Sequence, residues 1–400
     1  MSVTAPKGFV AAGVAAGIKA SGRPDLSLVA TADRQPVAAA GVFTTNLVAA
    51  APVQLSRRHL AAEGRAAAVV LNSGNANAAT GEPGLLVAEG TAALVADALG
   101  CDRRHVLVCS TGLIGIPMTL EPFTTGVRAA AAALGATPEA GHSAAEAIMT
   151  TDTVAKEALA TFDAGGTTVT VGGMAKGAAM LSPAMATMLA VITTDAAVEP
   201  RALQLALTRA VDASFNLMST DGSRSTNDTV LVLAGGAAGN PSITAGSPEA
   251  HALADALTAV CASLSDQMAH DAEGATKFVR LTVKGARSNG EALQAARAVA
   301  ESQLVKCSLF GGDPYWGRIL SELGASGAYL DPDRVDIAYN DITVCVGGVA
   351  ADVYDVEALA KSMQQKEIEV TADLGLGNGE ATVTTVDLTP GYIDENMRTS

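Results

Sequence analysis

Residues 171–195 read VGGMAKGAAMLSPAMATMLAVITTD, and the reading of the whole chain turns on them. Within them, residues 185–194 (MATMLAVITT) form an apolar run of strand character that begins just after a proline-bearing loop, with Thr187 near its start. Gly172, Gly173 and Gly177 lead into the run with Lys176 among them, and small residues flank the Ala186–Thr187 bond. Such a backbone is expected to bend sharply and let a side chain reach its own preceding carbonyl. Taken alone, the stretch also fits an ordinary buried strand after a glycine-rich turn. It lacks the spacing of a phosphate-binding loop.

The chain of 400 residues exceeds the usual size of a single hydrophobic core, so two domains or one large layered domain are expected. Hydrophobic residues make up 49% and aromatic ones only 3%, which leaves the core to Ala, Val, Leu and Met. A formal charge of −15 argues against nucleic acid or an anionic membrane as partner, because no basic patch could dominate that field. The cysteines (Cys101, Cys109, Cys261, Cys307, Cys345) and the histidines are scattered and share no metal-site spacing. They read as reduced core thiols of a cytoplasmic protein, with no metal. The run FVAAGVAAGI after Lys7 imitates a short signal peptide, but its two glycines and the closing Lys19 argue against one. No run reaches the roughly 18 to 20 apolar residues of a membrane span.

Around the opening stretch, strand and helix signals alternate. LSLVATA (26–32), AAAGVFTTN (38–46) and AAAPVQLS (49–56) read as short strands, and AAAVVLNSGNANAATG (66–81) as a buried strand breaking into an Asn/Gly loop. Residues 84–100 have helical periodicity and end on a glycine cap. A strand from Val106 to Cys109 delivers Ser110, Thr111 and Gly112 into a loop, where a hydroxyl and an unhindered glycine N–H can be aimed at an oxyanion. Helices are expected over 123–136, 142–150, 200–216 and 250–269, and one more from 291 before the loop that holds Trp316. GGAAGNPSITAGSPEA (235–250) is the loosest segment and the expected hinge between domains.

KGAAMLSPAMATMLAVITTDA (176–196) resembles the self-cleavage segment of the ornithine acetyltransferase family, in which the threonine of an A-T-M-L tetrad cuts the bond before it. The likeness runs nearly end to end. It takes in AGIKASG, VFTTN, the C-S-T-G loop at Cys109–Gly112, I-M-T-T-D at 148–152, the D-G-x-x-S-T-N-D-T loop from Asp221 and D-A-E-G-x-T-K from Asp271. Arg224 and Tyr315 depart from the family pattern.

The resemblance implies an α/β fold of stacked sheets flanked by helices, shared with self-processing P1-type aminopeptidases, with a second, smaller α/β domain. It implies cleavage between Ala186 and Thr187 into an alpha chain (1–186) and a beta chain (187–400), two of each forming a heterotetramer. It further implies acetyl transfer from N-acetylornithine to glutamate through acetyl-Thr187, with Thr111 and Gly112 as the oxyanion hole. Thr150, Lys176, Glu273, Asn396 and the terminal Ser400 take the substrate-binding roles. No cofactor is expected, and acetyl-CoA stays open as a second donor. The alternative function is a self-cleaved amidase or aminopeptidase that releases its acyl group to water.

Overall fold

The structure is a computed structural model and describes residues 2–181 and 188–397. In chain order come β1 (Phe9–Val14), β2 (Leu26–Thr31), β3 (Val37–Phe43), α1 (Ala51–Glu63), β4 (Arg65–Ala66), β5 (Ala68–Asn75), α2 (Gly81–Leu99) and β6 (Val106–Leu113). Then follow α3 (Glu121–Ala133), α4 (Pro138–Ala147), β7 (Lys156–Asp163), β8 (Thr168–Lys176), β9 (Leu189–Thr194), α5 (Pro200–Asp212), β10 (Met218–Ser219), β11 (Thr229–Ala234) and α6 (Pro248–His270). The last part holds β12 (Phe278–Ala286), α7 (Asn289–Glu301), α8 (Gln303–Phe310), α9 (Trp316–Ala325), β13 (Asp336–Tyr339), β14 (Ile342–Val346) and β15 (Val349–Ala350). It closes with α10 (Val356–Ser362), β16 (Glu367–Asp373), β17 (Gly379–Val386) and α11 (Pro390–Asn396).

β9 explains the layering. Its side chains alternate between faces, and both faces are covered. Ala190 and Ile192 enter a core shared with α5 and α6, whereas Leu189 and Val191 enter one shared with β2, β5 and β6. A strand buried on both sides has to read as a continuous apolar run, and this one does. β9 lies inside a six-stranded sheet of order β4-β3-β11-β9-β8-β7, stacked on a four-stranded sheet of order β1-β2-β5-β6. The outer face of the smaller sheet is covered by α1, α2 and α3. The result is an α/β sandwich of four layers: helices, sheet, sheet, helices.

From Val279 onward a separate hydrophobic core forms. α7, α8, α9 and α10 cover the seven-stranded sheet β10-β17-β12-β16-β13-β14-β15. The stretch 235–250, expected as a hinge, joins β11 to α6, and both of these feed the same core of the sandwich.

Three local expectations are corrected. Residues 49–56 are not a strand: α1 begins at Ala51, because Pro52 suits a first helical turn, whose N–H groups have no intrahelical acceptor, and Gly64 closes the helix in the left-handed region (φ 60°). Gly172 and Gly173 lie inside β8 and make no bend. A Cβ on Gly172 would stand 2.2 Å from the Ser2 carbonyl oxygen, and one on Gly173 2.8 Å from Val260 Cγ1, so the N-terminal segment and α6 can press onto the strand only over glycine. The helix expected from residue 291 is two helices, and Trp316, expected in the loop after it, opens a third. Ser302 ends α7 and its hydroxyl accepts from the Val305 N–H to start α8, and Trp316 opens α9.

Candidate active site

The site is built where β8 ends, and β8 ends on a charge that has to be neutralised. Lys176 is buried. Its Nζ donates to Thr150 Oγ1 at 2.7 Å and stands 3.7 Å from Asp152 Oδ2. Asp152 is buried too, and its Oδ1 accepts from Lys156 Nζ at 2.7 Å and from the Gly177 N–H at 2.7 Å, while Oδ2 accepts from the Thr150 N–H. Burial alone would raise the Asp152 carboxyl, but Lys176, Lys156 and these hydrogen bonds outweigh it and hold the group well below the usual carboxylate range. Lys156 also bonds Asp271 Oδ2 at 2.5 Å, and Asp271 accepts in addition from the Thr153 N–H and hydroxyl. Two lysines and two aspartates thus lock the loop before β7, the end of β8 and the end of α6 together.

That lock sets the position of Glu273. Its backbone N–H donates to the Ala178 carbonyl at 2.8 Å, and its Oε2 accepts from Asn396 Nδ2 at 2.8 Å. Asn396 lies on α11, which is fastened by Thr389 Oγ1 on the Gly274 carbonyl (2.6 Å) and by the Tyr392 hydroxyl on Asp221 Oδ2 (3.2 Å). Four of the residues singled out from sequence, Thr150, Lys176, Glu273 and Asn396, therefore meet at one place.

The other wall is the end of β6, which runs parallel to β5 with Thr111 opposite Ser73 and Gly112 opposite Gly74, so Ser110, Thr111 and Gly112 continue the strand and are not in the loop expected after Cys109. Gly112 adopts φ 131°, and a Cβ there would lie 2.3 Å from the Gly74 carbonyl carbon, so only glycine fits. Thr111 is buried and Gly112 is exposed. Asn227 braces this strand end, its Nδ2 donating to the Ser110 carbonyl (2.8 Å) and the Ala76 carbonyl (2.6 Å). The two walls are bridged by Lys19, whose Nζ donates to the Met149 carbonyl at 2.7 Å while its stem runs beside Gly74. Burial and the neighbouring Arg23 lower its ammonium pKa.

Ala186 and Thr187, and likewise Ser400 beyond Asn396, lie outside the described residues. The described ends of the gap are tied down, Leu181 by its carbonyl to the Thr220 N–H (2.6 Å) and Met188 by its N–H to Asp228 Oδ1 (3.0 Å).

Sequence reasoning missed Lys156, Asp271, Asp228 and Lys19. Asp152, Asp271 and Asp228 stood inside the quoted motifs, yet nothing local in the sequence marks Asp271 as meeting Lys156, more than a hundred residues before it, or Asp152 and Asp228 as buried. Among the described residues no cluster of three or more His, Cys, Asp or Glu could hold a metal ion, and no helix is long and apolar enough to cross a membrane.

Residues 10–399 match the model of the ArgJ family. The arginine biosynthesis bifunctional protein ArgJ of Symbiobacterium thermophilum is 52% identical over 98% of this chain and 97% of its own length. The protein of that name from Streptomyces coelicolor is 48% identical over 99% of each. Among solved structures, arginine biosynthesis bifunctional protein argJ from Bacillus halodurans aligns at 35% identity and a TM-score of 0.49, over 51% of this chain and 96% of its own.

Proposed function

This chain belongs to the ArgJ family, and on that premise we propose how its residues carry the reaction. It is an acyltransferase of arginine biosynthesis, an ornithine acetyltransferase that moves acetyl to glutamate. In our reading the nucleophile is Thr187. Attack of its hydroxyl on the Ala186 carbonyl converts the peptide bond to an ester, which water opens. The α-amine thereby freed has an unperturbed pKa of about 7.7 to 8 and takes the hydroxyl proton near neutral pH, so one residue supplies both nucleophile and base. N2-acetylornithine then acetylates Thr187, ornithine leaves, and glutamate collects the acetyl group. The ester keeps the transfer potential, and no cofactor is needed. Acetyl-CoA as a second donor belongs to the same proposal, since it would give the same ester.

The observation that supports this reading is that the Thr150–Lys176–Asp152 cluster and the Glu273–Asn396 pair are tied to the end of β8, while Thr111 and Gly112 end β6 beside Lys19, which reaches the Met149 carbonyl. Lys176 and the terminal Ser400 would hold substrate carboxylates, Thr150 would orient Lys176, and Glu273, backed by Asn396, would meet the ornithine amine. Thr111 and Gly112 would donate to the tetrahedral oxyanion, and loss of one such donor costs about 100- to 1,000-fold in turnover. We place the two fragments together in a cytoplasmic heterotetramer.

Intact-mass measurement of the purified protein, with Thr187→Ala beside it, tests the reading. Active enzyme should consist of fragments of residues 1–186 and 187–400, and the variant should stay whole and inactive. A single uncut species in active enzyme sinks Thr187 as nucleophile. Acetate release that ignores glutamate would make the enzyme a hydrolase.

A further inference from the structure

Lys19 is built into the site and has no task in the scheme above. The loop that carries it, between β1 and β2, is folded around Asp25, which is fully buried. The Asp25 carboxylate accepts main-chain N–H groups only: Ala16 at 2.6 Å on Oδ1, and Ile18 at 2.6 Å and Lys19 at 2.8 Å on Oδ2. Asp25 is itself fixed to β5, its carbonyl accepting from the Ser73 N–H at 2.9 Å. The Lys19 stem then runs past Gly74, where a Cβ would stand 3.0 Å from its Cγ.

The stem ends beside a second lysine. Lys19 Nζ donates to the Met149 carbonyl at 2.7 Å and to the Pro24 carbonyl at 2.9 Å. Thr150, the next residue after Met149, takes the Lys176 ammonium on its hydroxyl at 2.7 Å. Two ammonium groups are therefore bonded to consecutive residues. Lys176 has the Asp152 carboxylate beside it. Lys19 makes no ion pair among the described residues, because the one carboxylate of its own loop, Asp25, is taken up by N–H groups. An ammonium has three N–H donors, and the third of Lys19 has no acceptor there. Burial and Arg23 lower its pKa, Asp25 opposes them, and Lys176 adds to the lowering against Asp152. A half-buried cation beside another, with no counter-ion of its own, suits an anion from outside.

The charges of the two substrates say which anion. Ornithine ends its side chain in an ammonium and glutamate in a carboxylate. Glu273, which meets the first in the reading above, repels the second. An acceptor with two carboxylates needs two cations, and Lys176 is one. We propose that Lys19 is the other: it pairs with the second carboxylate of glutamate and so selects a dicarboxylate as acceptor. The proposal rests on the acetyl-transfer reading of this site. N2-acetylornithine has a single carboxylate and leaves Lys19 without a partner, so the residue acts on the second half of the reaction and not on the first.

Initial rates of the purified enzyme test this, with N2-acetylornithine as donor, glutamate or glutamine as acceptor, and wild type beside Lys19→Met and Lys19→Arg. The methionine keeps the stem and removes the charge. Its kcat/KM for glutamate should fall on the order of 10- to 100-fold, the range of one charge-assisted hydrogen bond. Its kcat/KM for N2-acetylornithine should stay within about twofold of wild type, and Lys19→Arg should restore most of the loss. Glutamine has the length of glutamate without the charge, so wild type should use it poorly and Lys19→Met should use the two nearly alike. Equal losses for donor and acceptor, or no loss, overturn the proposal and leave Lys19 a tether between its loop and Met149. If Lys19→Met does not fold, wild type decides: a preference of about tenfold or more for glutamate over glutamine upholds the assignment, and equal use of the two overturns it. A wild type that moves acetyl to no amine breaks the reading underneath, a result distinct from an active enzyme with an indifferent variant.

Discussion

Lysine ammonium groups are buried in two regions of the molecule, and they are satisfied in opposite ways. At the end of β8, Lys156 is completely covered and meets two carboxylates, Asp152 at 2.7 Å and Asp271 at 2.5 Å, with Lys176 alongside. Where the seven-stranded sheet meets the sandwich, Lys306 on α8 is equally covered. It donates to the Thr220 carbonyl (2.7 Å), Thr385 Oγ1 (2.8 Å) and the Val386 carbonyl (2.5 Å), neutral acceptors all. Burial therefore lowers the Lys306 ammonium to about 8, while at the β8 end the lysines hold Asp152 well below its usual range. Carboxylate partners offset the buried charge at the candidate site, whereas neutral acceptors only pin one part of the chain to another. Burial alone does not tell these two lysine sites apart; the partner does.

The largest effect should come from Asp152→Ala, which deprives both lysines of their shared carboxylate. Breaking a buried pair from one side costs about 3–5 kcal/mol, and acetyl transfer should be lost with it. Denaturant unfolding alongside an activity assay checks both, and a near-neutral variant would erase the distinction between the two regions. The sign with pH is also defined. A carboxyl whose folded pKa is depressed contributes stability above its unfolded value of about 3.9, and that contribution fades as pH falls toward the lower folded value.

Lys306→Met comes next. It strands two buried carbonyls, at about 1–3 kcal/mol each, offset by relief of a buried charge, and turnover should stay within about twofold of wild type because no acetyl-transfer role falls on this residue. The folded pKa lies below the unfolded 10.5, so between about 8 and 10.5 the unfolded chain binds more protons and wild-type stability rises with pH. The methionine variant should lack that rise in melts taken across the range.

Smallest is Thr150→Val, which removes the acceptor of the Lys176 hydrogen bond and leaves the Asp152 cluster whole. KM should rise by about fivefold, the equivalent of the roughly 1 kcal/mol of one hydrogen bond, with the melting temperature unmoved. A fall in kcat at constant KM would place Thr150 at the transition state instead.

Periodicity made β2, β3, β5, α2, α5 and α6 legible, because each buries a regular face or ends on a recognisable cap. It failed at α1, where β-prone Val53 and Leu55 beside Pro52 imitate an edge strand and the deciding cap, Gly64, lies a full helix away. It failed again at Gly172 and Gly173, whose meaning depends on Ser2 and Val260. In the candidate site, Thr150, Lys176, Glu273 and Asn396 were singled out through family likeness rather than through local chemistry. Lys156 and Asp228 were not found, since their significance rests on burial and on partners supplied by tertiary packing alone.

The six-stranded sheet has one more consequence. β4, β3, β8 and β7 come from before residue 187, and β11 and β9 from after it, in the order β4-β3-β11-β9-β8-β7. β9 pairs with β8 and β11 with β3 over six residue pairs each, and the Thr193 hydroxyl donates to the Val3 carbonyl at 2.7 Å. A chain cut before Thr187 would be interwoven, so its halves could not part on dilution without unravelling the sheet. Folding would be first order before the cut and second order after it. Denatured enzyme should recover in proportion to fragment concentration, whereas uncut Thr187→Ala should refold at a rate indifferent to it.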